Sequence, residues 1–171
     1  MMKIVLLGYM GSGKSTVGKI LAEKLNVLFL DLDDVIEEGE QMKIPEIFKN
    51  SGELYFRKKE FQYLDEVLDK NDKIVLSTGG GTPCYGKNLE TILKATEHVF
   101  HLKVSIPGLT ARLLKEKAVR PLIQSIPDAE LPEFIGKHLF ERNAYYNQAN
   151  HTLSCDNKIP EEIAEEIIRL V

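Results

Sequence analysis

The chain has 171 residues, with 26 acidic and 22 basic side chains, a net charge of -4 and a pI near 5.6. That length suits one domain with a sizeable core, and the charge balance excludes the global basic field that nucleic-acid binding uses. No apolar run approaches the ~18 residues needed to cross a bilayer, and the N-terminus lacks a signal-peptide pattern, so a cytoplasmic protein is expected.

Taken in chain order, the first element is an apolar strand, Ile4-Val5-Leu6-Leu7, running straight into Gly8-Tyr9-Met10-Gly11-Ser12-Gly13-Lys14-Ser15. This stretch fits G-x-x-x-x-G-K-[ST], and a helical pattern follows from Lys14 to Leu25, as the motif's mechanism requires. Gly11 and Gly13 allow backbone N–H groups to turn inward on phosphate oxygens, and the helix start adds the positive end of its dipole. Lys14 can then reach the outer phosphates of ATP, and the Ser15 hydroxyl can ligate Mg2+. Ser12 and Thr16 flank these two in the same nucleotide-binding set.

After Asn26, a plausible helix stop, Val27-Leu28-Phe29-Leu30 reads as a second strand buried on both faces. It ends in Asp31-Leu32-Asp33-Asp34, two carboxylates at i and i+2 where open α/β sheets bind ligands, although either could simply cap the helix expected over Val35 to Glu40. Helical segments follow from Pro45 to Asn50 and, after Ser51-Gly52-Glu53, to about Lys70. On the longer one, spacing puts Arg57 on an inward stripe with Leu54, Phe61, Leu64 and Leu68. Such an arginine either pairs with Glu53 or Glu60 within its own helix or faces a cleft and grips an anion.

The third strand, Lys73 to Ser77, leads into Thr78-Gly79-Gly80-Gly81-Thr82-Pro83. Hydroxyls and glycines stand where many phosphate-loop hydrolases carry an acidic residue, which argues against a water-activating machine, and adjacent glycines suggest backbone pressed close to a ligand. A helix over Lys87 to Ala95, a fourth strand over Val99 to Val104 and a helix from Pro107 through Arg112 to about Lys117 come next. A segment of about 115–131, rich in prolines, reads as a mobile lid that carries Arg120 toward the phosphates. In the helix expected over Glu133 to Ala149, Arg142 repeats the anomaly of Arg57, lying in line with Ile135, Leu139, Tyr146 and Ala149. A short strand from His151 to Cys155 and an amphipathic helix from Pro160 close the chain. Cys84 and Cys155 are expected to be free thiols, and the four histidines have no metal-type spacing.

Strands and helices alternating in this way predict a three-layer α/β/α sandwich with about five parallel strands. Loops at the carboxyl ends of the strands gather Lys14, Ser15, the aspartates, the glycines and Arg120. Phosphoryl transfer needs positive charge on the phosphates and a base for the attacking hydroxyl. Arg57 and Arg142 remain as cationic forks without an ATP phosphate, which points to an anionic acceptor, most simply a carboxylate.

The phosphate loop, Asp31-Leu32-Asp33, Phe56-Arg57 with Glu60, Ser77-Thr78-Gly79-Gly80-Gly81, Val119-Arg120-Pro121-Leu122 and Glu141-Arg142 with Tyr145-Tyr146, in this order, resemble the bacterial shikimate kinases over the whole length. The resemblance implies transfer of the ATP γ-phosphoryl group to the 3-hydroxyl of shikimate. By the same resemblance, Asp33 holds the shikimate hydroxyls and acts as base, Asp31 meets Mg2+ through water, and Ser15 ligates it. Arg57, Arg142 and the backbone at Gly79 and Gly80 bind shikimate, Arg120 meets the ATP phosphates, and Arg112 contacts adenine. Thr82-Pro83-Cys84 departs from the small apolar residues common in the family, and Asp156-Asn157-Lys158-Ile159 departs at the adenine turn, where Lys158 is a candidate replacement for an arginine. Nothing in the sequence demands an oligomer, so a monomer is expected. The rival readings are another small-molecule or nucleoside monophosphate kinase, and a nucleotide-dependent switch.

Overall fold

Five strands, β1 (Met2–Leu7), β2 (Leu28–Asp31), β3 (Lys73–Ser77), β4 (Val99–Lys103) and β5 (His151–Ser154), form one sheet in the order β2-β3-β1-β4-β5 in a computed structural model that describes residues 1–171. Every pairing is parallel. All carboxyl ends therefore lie on one edge, and the register Leu6↔Ser77 and Asp31↔Ser77 brings the three left-hand strand ends level. The chain crosses from one side of β1 to the other between β3 and β4, the kind of switch point at which open α/β sheets bind ligands. The fold is the expected α/β sandwich with five parallel strands.

The helices are α1 (Lys14–Leu25), α2 (Leu32–Glu40), α3 (Ile44–Lys70), α4 (Asn88–Ala95), α5 (Ile106–Glu116), α6 (Pro121–Gln124), α7 (Leu131–Tyr146) and α8 (Pro160–Ile168). Helix α1 packs with α8, α2 with α3, and α5 with α7. The central strand β1 supplies Ile4 to Leu7, all fully buried, to a core shared with Ile74, Val75, Leu76, Val99 and Phe100. Helix α1 ends where expected, because Asn26 takes the left-handed conformation (φ 53°, ψ 49°) and returns its N–H to the last turn. None of the helices is long and apolar enough to cross a membrane.

Several expectations need correction. Strand β2 is an edge strand, with Leu28 51% exposed, because a wholly apolar run does not distinguish an edge from a centre position. Helix α2 starts three residues earlier than expected, at Leu32, since the Asp31 side chain caps it by accepting from the Asp33 N–H. The two helical segments expected on either side of Ser51-Gly52-Glu53 are both present, joined as α3 across a kink at Gly52, whose φ of 82° and ψ of 174° are not helical. Its buried face carries Phe56, Glu60, Leu64, Val67 and Leu68, whereas Leu54 is 89% exposed and Phe61 is more than a third exposed. The stripe is rotated because a charged residue, Glu60, occupies a core position, which an apolar count cannot see. Arg57 consequently borders the buried face. On α7 the expected stripe holds, with Ile135 and Tyr146 buried and Leu139 and Ala149 packed against the core, although the helix ends at Tyr146.

Candidate active site

The carboxyl edge of the sheet opens into a cavity of about 560 Å³ between the phosphate loop, the end of β2, the end of β3 and α5. Lining it are Gly11, Ser12, Gly13, Lys14, Ser15 and Thr16 from the loop and the first turn of α1. Gly11 (φ 79°) and Gly13 (φ 93°) both take the left-handed region, which turns the backbone around the loop. Opposite them stand Asp31 and Asp33, with Gly79 and Gly80 behind and Arg112 and Arg120 above. Every residue expected at the site lines this cavity except Arg57 and Arg142.

Lys14 is buried and folds back on the loop, its Nζ donating to the carbonyls of Gly8 (2.7 Å) and Tyr9 (3.0 Å). Burial pushes the Lys14 ammonium down to about 8, while the charges of Asp33 and Asp31 pull it back up. The Ser15 hydroxyl donates to Asp31 Oδ2 at 2.5 Å and lies 3.4 Å from the Ser77 hydroxyl. Asp31 thus serves both readings of its position, helix cap and site residue. Asp33 has its carboxyl pushed up to about 6, first by burial and then by repulsion from Asp31 and Glu60, against the pull of Lys14.

The three adjacent glycines have a shared spatial reason. None has positive φ, so no turn requires them. A side chain would instead crowd a charged group at each position: its Cβ would lie 3.0 Å from Asp33 Oδ1 at Gly79, 3.2 Å from Arg142 Nη1 at Gly80, and 3.2 Å from Arg57 Nη2 at Gly81, close enough that each neighbour would have to give way slightly. The strand end is a bare wall onto which one carboxylate and two guanidinium groups converge. Arg57 and Arg142 stand at its far end, beyond the cavity proper. Arg142 lies over Tyr9 (5.5 Å), and Arg57 stacks on Tyr85, its Cζ 3.6 Å from the ring centroid.

Arg57 also makes the helical pair that was the alternative to anion binding, donating from Nη1 to Glu60 Oε1 at 2.8 Å. That pair engages one N–H group and leaves Nη2, beside Gly81, without a hydrogen bond, so it does not exclude anion binding. Arg120 lines the cavity while its Nε donates to Glu116 at 2.6 Å. The surrounding 115–131 stretch, expected as a mobile lid, contains short helical turns and sets Ile123 and Leu131 in the core. Arg112 Nη1 donates to the Gly11 carbonyl at 3.2 Å. Lys158 reaches the same cavity and pairs with Glu166 at 2.7 Å.

Sequence reasoning left out residues that complete this region. Tyr146 donates its hydroxyl to the Gly80 carbonyl at 2.5 Å, fixing the glycine wall from below, yet its helical spacing marked it only as core. Glu60 receives bonds from Thr82 and Asn88 as well as Arg57, and a polar residue in an amphipathic pattern gives no sign of this.

The comparisons with known proteins agree with this geometry. The family model described as shikimate kinase matches residues 10–171. A shikimate kinase of Flavobacterium psychrophilum is 43% identical over 171 residues, covering 100% of this chain and 99% of that protein. Among solved structures, shikimate kinase from Bacteroides thetaiotaomicron superposes with a TM-score of 0.90 at 39% identity, covering 99% of this chain and 96% of that one. Shikimate kinase from Acinetobacter baumannii, solved in complex with shikimate, gives 0.89 at 32% identity, covering 99% and 92%. Matched from end to end in sequence and in fold, with a phosphate loop facing a carboxylate and two guanidinium groups, the chain belongs to the shikimate kinase family.

Proposed function

We propose that this protein transfers the γ-phosphoryl group of ATP to the 3-hydroxyl of shikimate, giving shikimate 3-phosphate and ADP, a step toward chorismate and the aromatic amino acids. The observation that carries this reading is the glycine wall, where Asp33, Arg142 and Arg57 meet Gly79, Gly80 and Gly81 beside the phosphate loop. A polyol that bears a carboxylate matches that charge pattern: its acid group toward the two arginines, its hydroxyls toward Asp33. Nucleoside monophosphates would place a dianionic phosphate there and give the lone carboxylate no partner.

In the proposed reaction the substrate oxygen attacks the γ-phosphorus, the bond to the bridging oxygen of ADP breaks, and the hydroxyl proton passes to Asp33. A carboxyl held near 6 is mostly ionised at neutral pH and still basic enough to accept that proton. Lys14 leaves its contacts with the loop carbonyls for the phosphate oxygens, and Arg120 leaves Glu116 for the same target, so each exchanges one set of oxygens for another. Residues Gly11 to Thr16 cradle the phosphates, and Arg112 and Lys158 flank the adenine.

Oxygen donors at Ser15, Asp31 and Ser77 suit a hard cation that retains several waters, so the residues present fit Mg2+. When bound, it neutralises charge on the β- and γ-phosphates; Ser15 would ligate it directly and Asp31 through water. All proposed ligands come from a single chain, which supports a monomer working in the cytoplasm, where ATP is supplied.

The test is ADP formation by the purified protein with ATP and Mg2+ and, separately, shikimate, gluconate and nucleoside monophosphates. Shikimate alone should be turned over; turnover confined to either of the others would reject the assignment.

A further inference from the structure

Immediately after the glycine wall stands Thr82, which opens the turn leading from β3 toward α4. Thr82 is fully buried and donates from Oγ1 to Glu60 Oε2 at 2.9 Å. Asn88, in the first turn of α4 and 1% exposed, donates from Nδ2 to Glu60 Oε1 (3.2 Å) and to the Thr82 carbonyl (2.9 Å). Glu60 itself is 1% exposed, and its remaining partner is Arg57 Nη1 on Oε1. A buried carboxylate is thus held by donors from α3, from the turn after β3 and from α4.

This arrangement decides how Arg57 meets Glu60. A guanidinium and a carboxylate left to themselves favour the bidentate pair, with two parallel N–H···O bonds. Here the Thr82 hydroxyl on Oε2 and the Asn88 amide on Oε1 fix the plane of the carboxylate, and in that orientation only Oε1 meets Arg57, so the pair is monodentate. Of the rest of the guanidinium, Nε is buried, 3.8 Å from Glu53 Oε1, whereas Nη2 makes no hydrogen bond and faces the bare Cα of Gly81. Tyr85, 3.6 Å from Cζ, covers one face and limits rotation. Without the hydroxyl, the carboxylate can turn both oxygens to Arg57 and draw its fork away from the wall.

We propose that Thr82 is a positioning residue for the acceptor: its hydroxyl, supported by Asn88, fixes the Glu60 carboxylate so that Arg57 keeps an edge free for the shikimate carboxylate. The inference rests on shikimate being the acceptor. It differs from a purely structural role for Thr82 because it confines the effect to substrates that carry a negative charge at that position.

The experiment compares wild type, Thr82→Val and Thr82→Ser on two acceptors, shikimate and its neutral carboxamide, with ATP varied separately. For Thr82→Val, KM for shikimate should rise about 10-fold, the factor for one weakened charge-assisted hydrogen bond. Its kcat and its KM for ATP should stay within about 2-fold. Thr82→Ser, which keeps the hydroxyl, should restore KM for shikimate. On the carboxamide, Thr82→Val and wild type should be alike. If Thr82→Val does not fold, Thr82→Ala carries the same comparison. An unchanged KM for shikimate, or an equal penalty on both acceptors, would overturn the proposal while leaving the shikimate assignment intact. Absence of wild-type turnover on shikimate would overturn both.

Discussion

Asp33→Asn should make the protein more stable and nearly inactive at once. Burial and the neighbouring Asp31 and Glu60 carboxylates raise the Asp33 carboxyl from 3.8 to about 6, so the ionised form is held at a cost. The folded state retains the proton up to about pH 6, whereas the unfolded chain releases it near 3.8. Between those values the unfolded state binds fewer protons, so stability falls as pH rises, and above about 6 the full cost, about 3 kcal/mol, is present. A carboxamide removes the charge, but the amide still needs hydrogen-bond partners in a site shaped for a carboxylate. We expect about half the gain to survive, about 1.5 kcal/mol, which for a chain of this size is a Tm increase of about 3–6 °C at pH 7.5.

Thermal unfolding of the ligand-free proteins at two pH values checks this directly. At pH 5, where wild-type Asp33 is largely protonated in the folded state, the ionisation cost drops to about half and is nearly matched by the loss at the amide, so the advantage of the variant should almost vanish. Turnover measured on the same preparations should fall by at least ~10²-fold, the scale of general-base assistance. A variant with unchanged or lower Tm at pH 7.5 would refute the idea that this carboxylate is ionised against its surroundings, and a near-normal kcat would remove Asp33 from the role of base.

Three further outcomes follow from the same geometry. Arg57→Ala should raise KM for shikimate about 10- to 100-fold through loss of a charge-assisted pair, and steady-state kinetics with ATP varied should show KM for ATP unchanged. Ser15→Ala removes the hydroxyl that faces Asp31, so the Mg2+ concentration giving half-maximal rate should rise at least ~10-fold with KM for shikimate unaffected. Gly81→Ala and Gly80→Ala should differ in kind. A methyl at Gly81 meets only the side chains of Arg57 and Tyr85 and should weaken shikimate alone, whereas one at Gly80 also lies 3.3 Å from the Met10 backbone N–H and should raise both KM values.

Much of this was legible because local chemistry dictates it. A strand, a loop with Gly11 and Gly13 at left-handed φ and a helix starting at Lys14 must follow in order for the loop to form, and two guanidinium groups bordering apolar helix faces signal an anion. What escaped depends on contacts distant in sequence. Glu60 was legible only as a possible helical partner of Arg57, whereas its burial depends on Thr82 and Asn88, 22 and 28 residues away. That burial rotated the α3 stripe and exposed Leu54 and Phe61, which periodicity had placed inside. Likewise, nothing in the run Val27 to Leu30 reveals that its strand pairs on one side only.

The glycine wall also explains how one fold edge can serve two substrates without mixing them. Gly80 is the shared position: its carbonyl accepts the Tyr146 hydroxyl, its Cα faces Arg142, and its other neighbour is the backbone of Met10 in the phosphate loop. Asp33 is placed between these two halves, touching the wall at Gly79 and attracted electrostatically by Lys14. In the proposed mechanism a base in that position would feel the donor through Lys14, because the pull of that ammonium lowers the Asp33 carboxyl and would weaken if Lys14 turned to the phosphates.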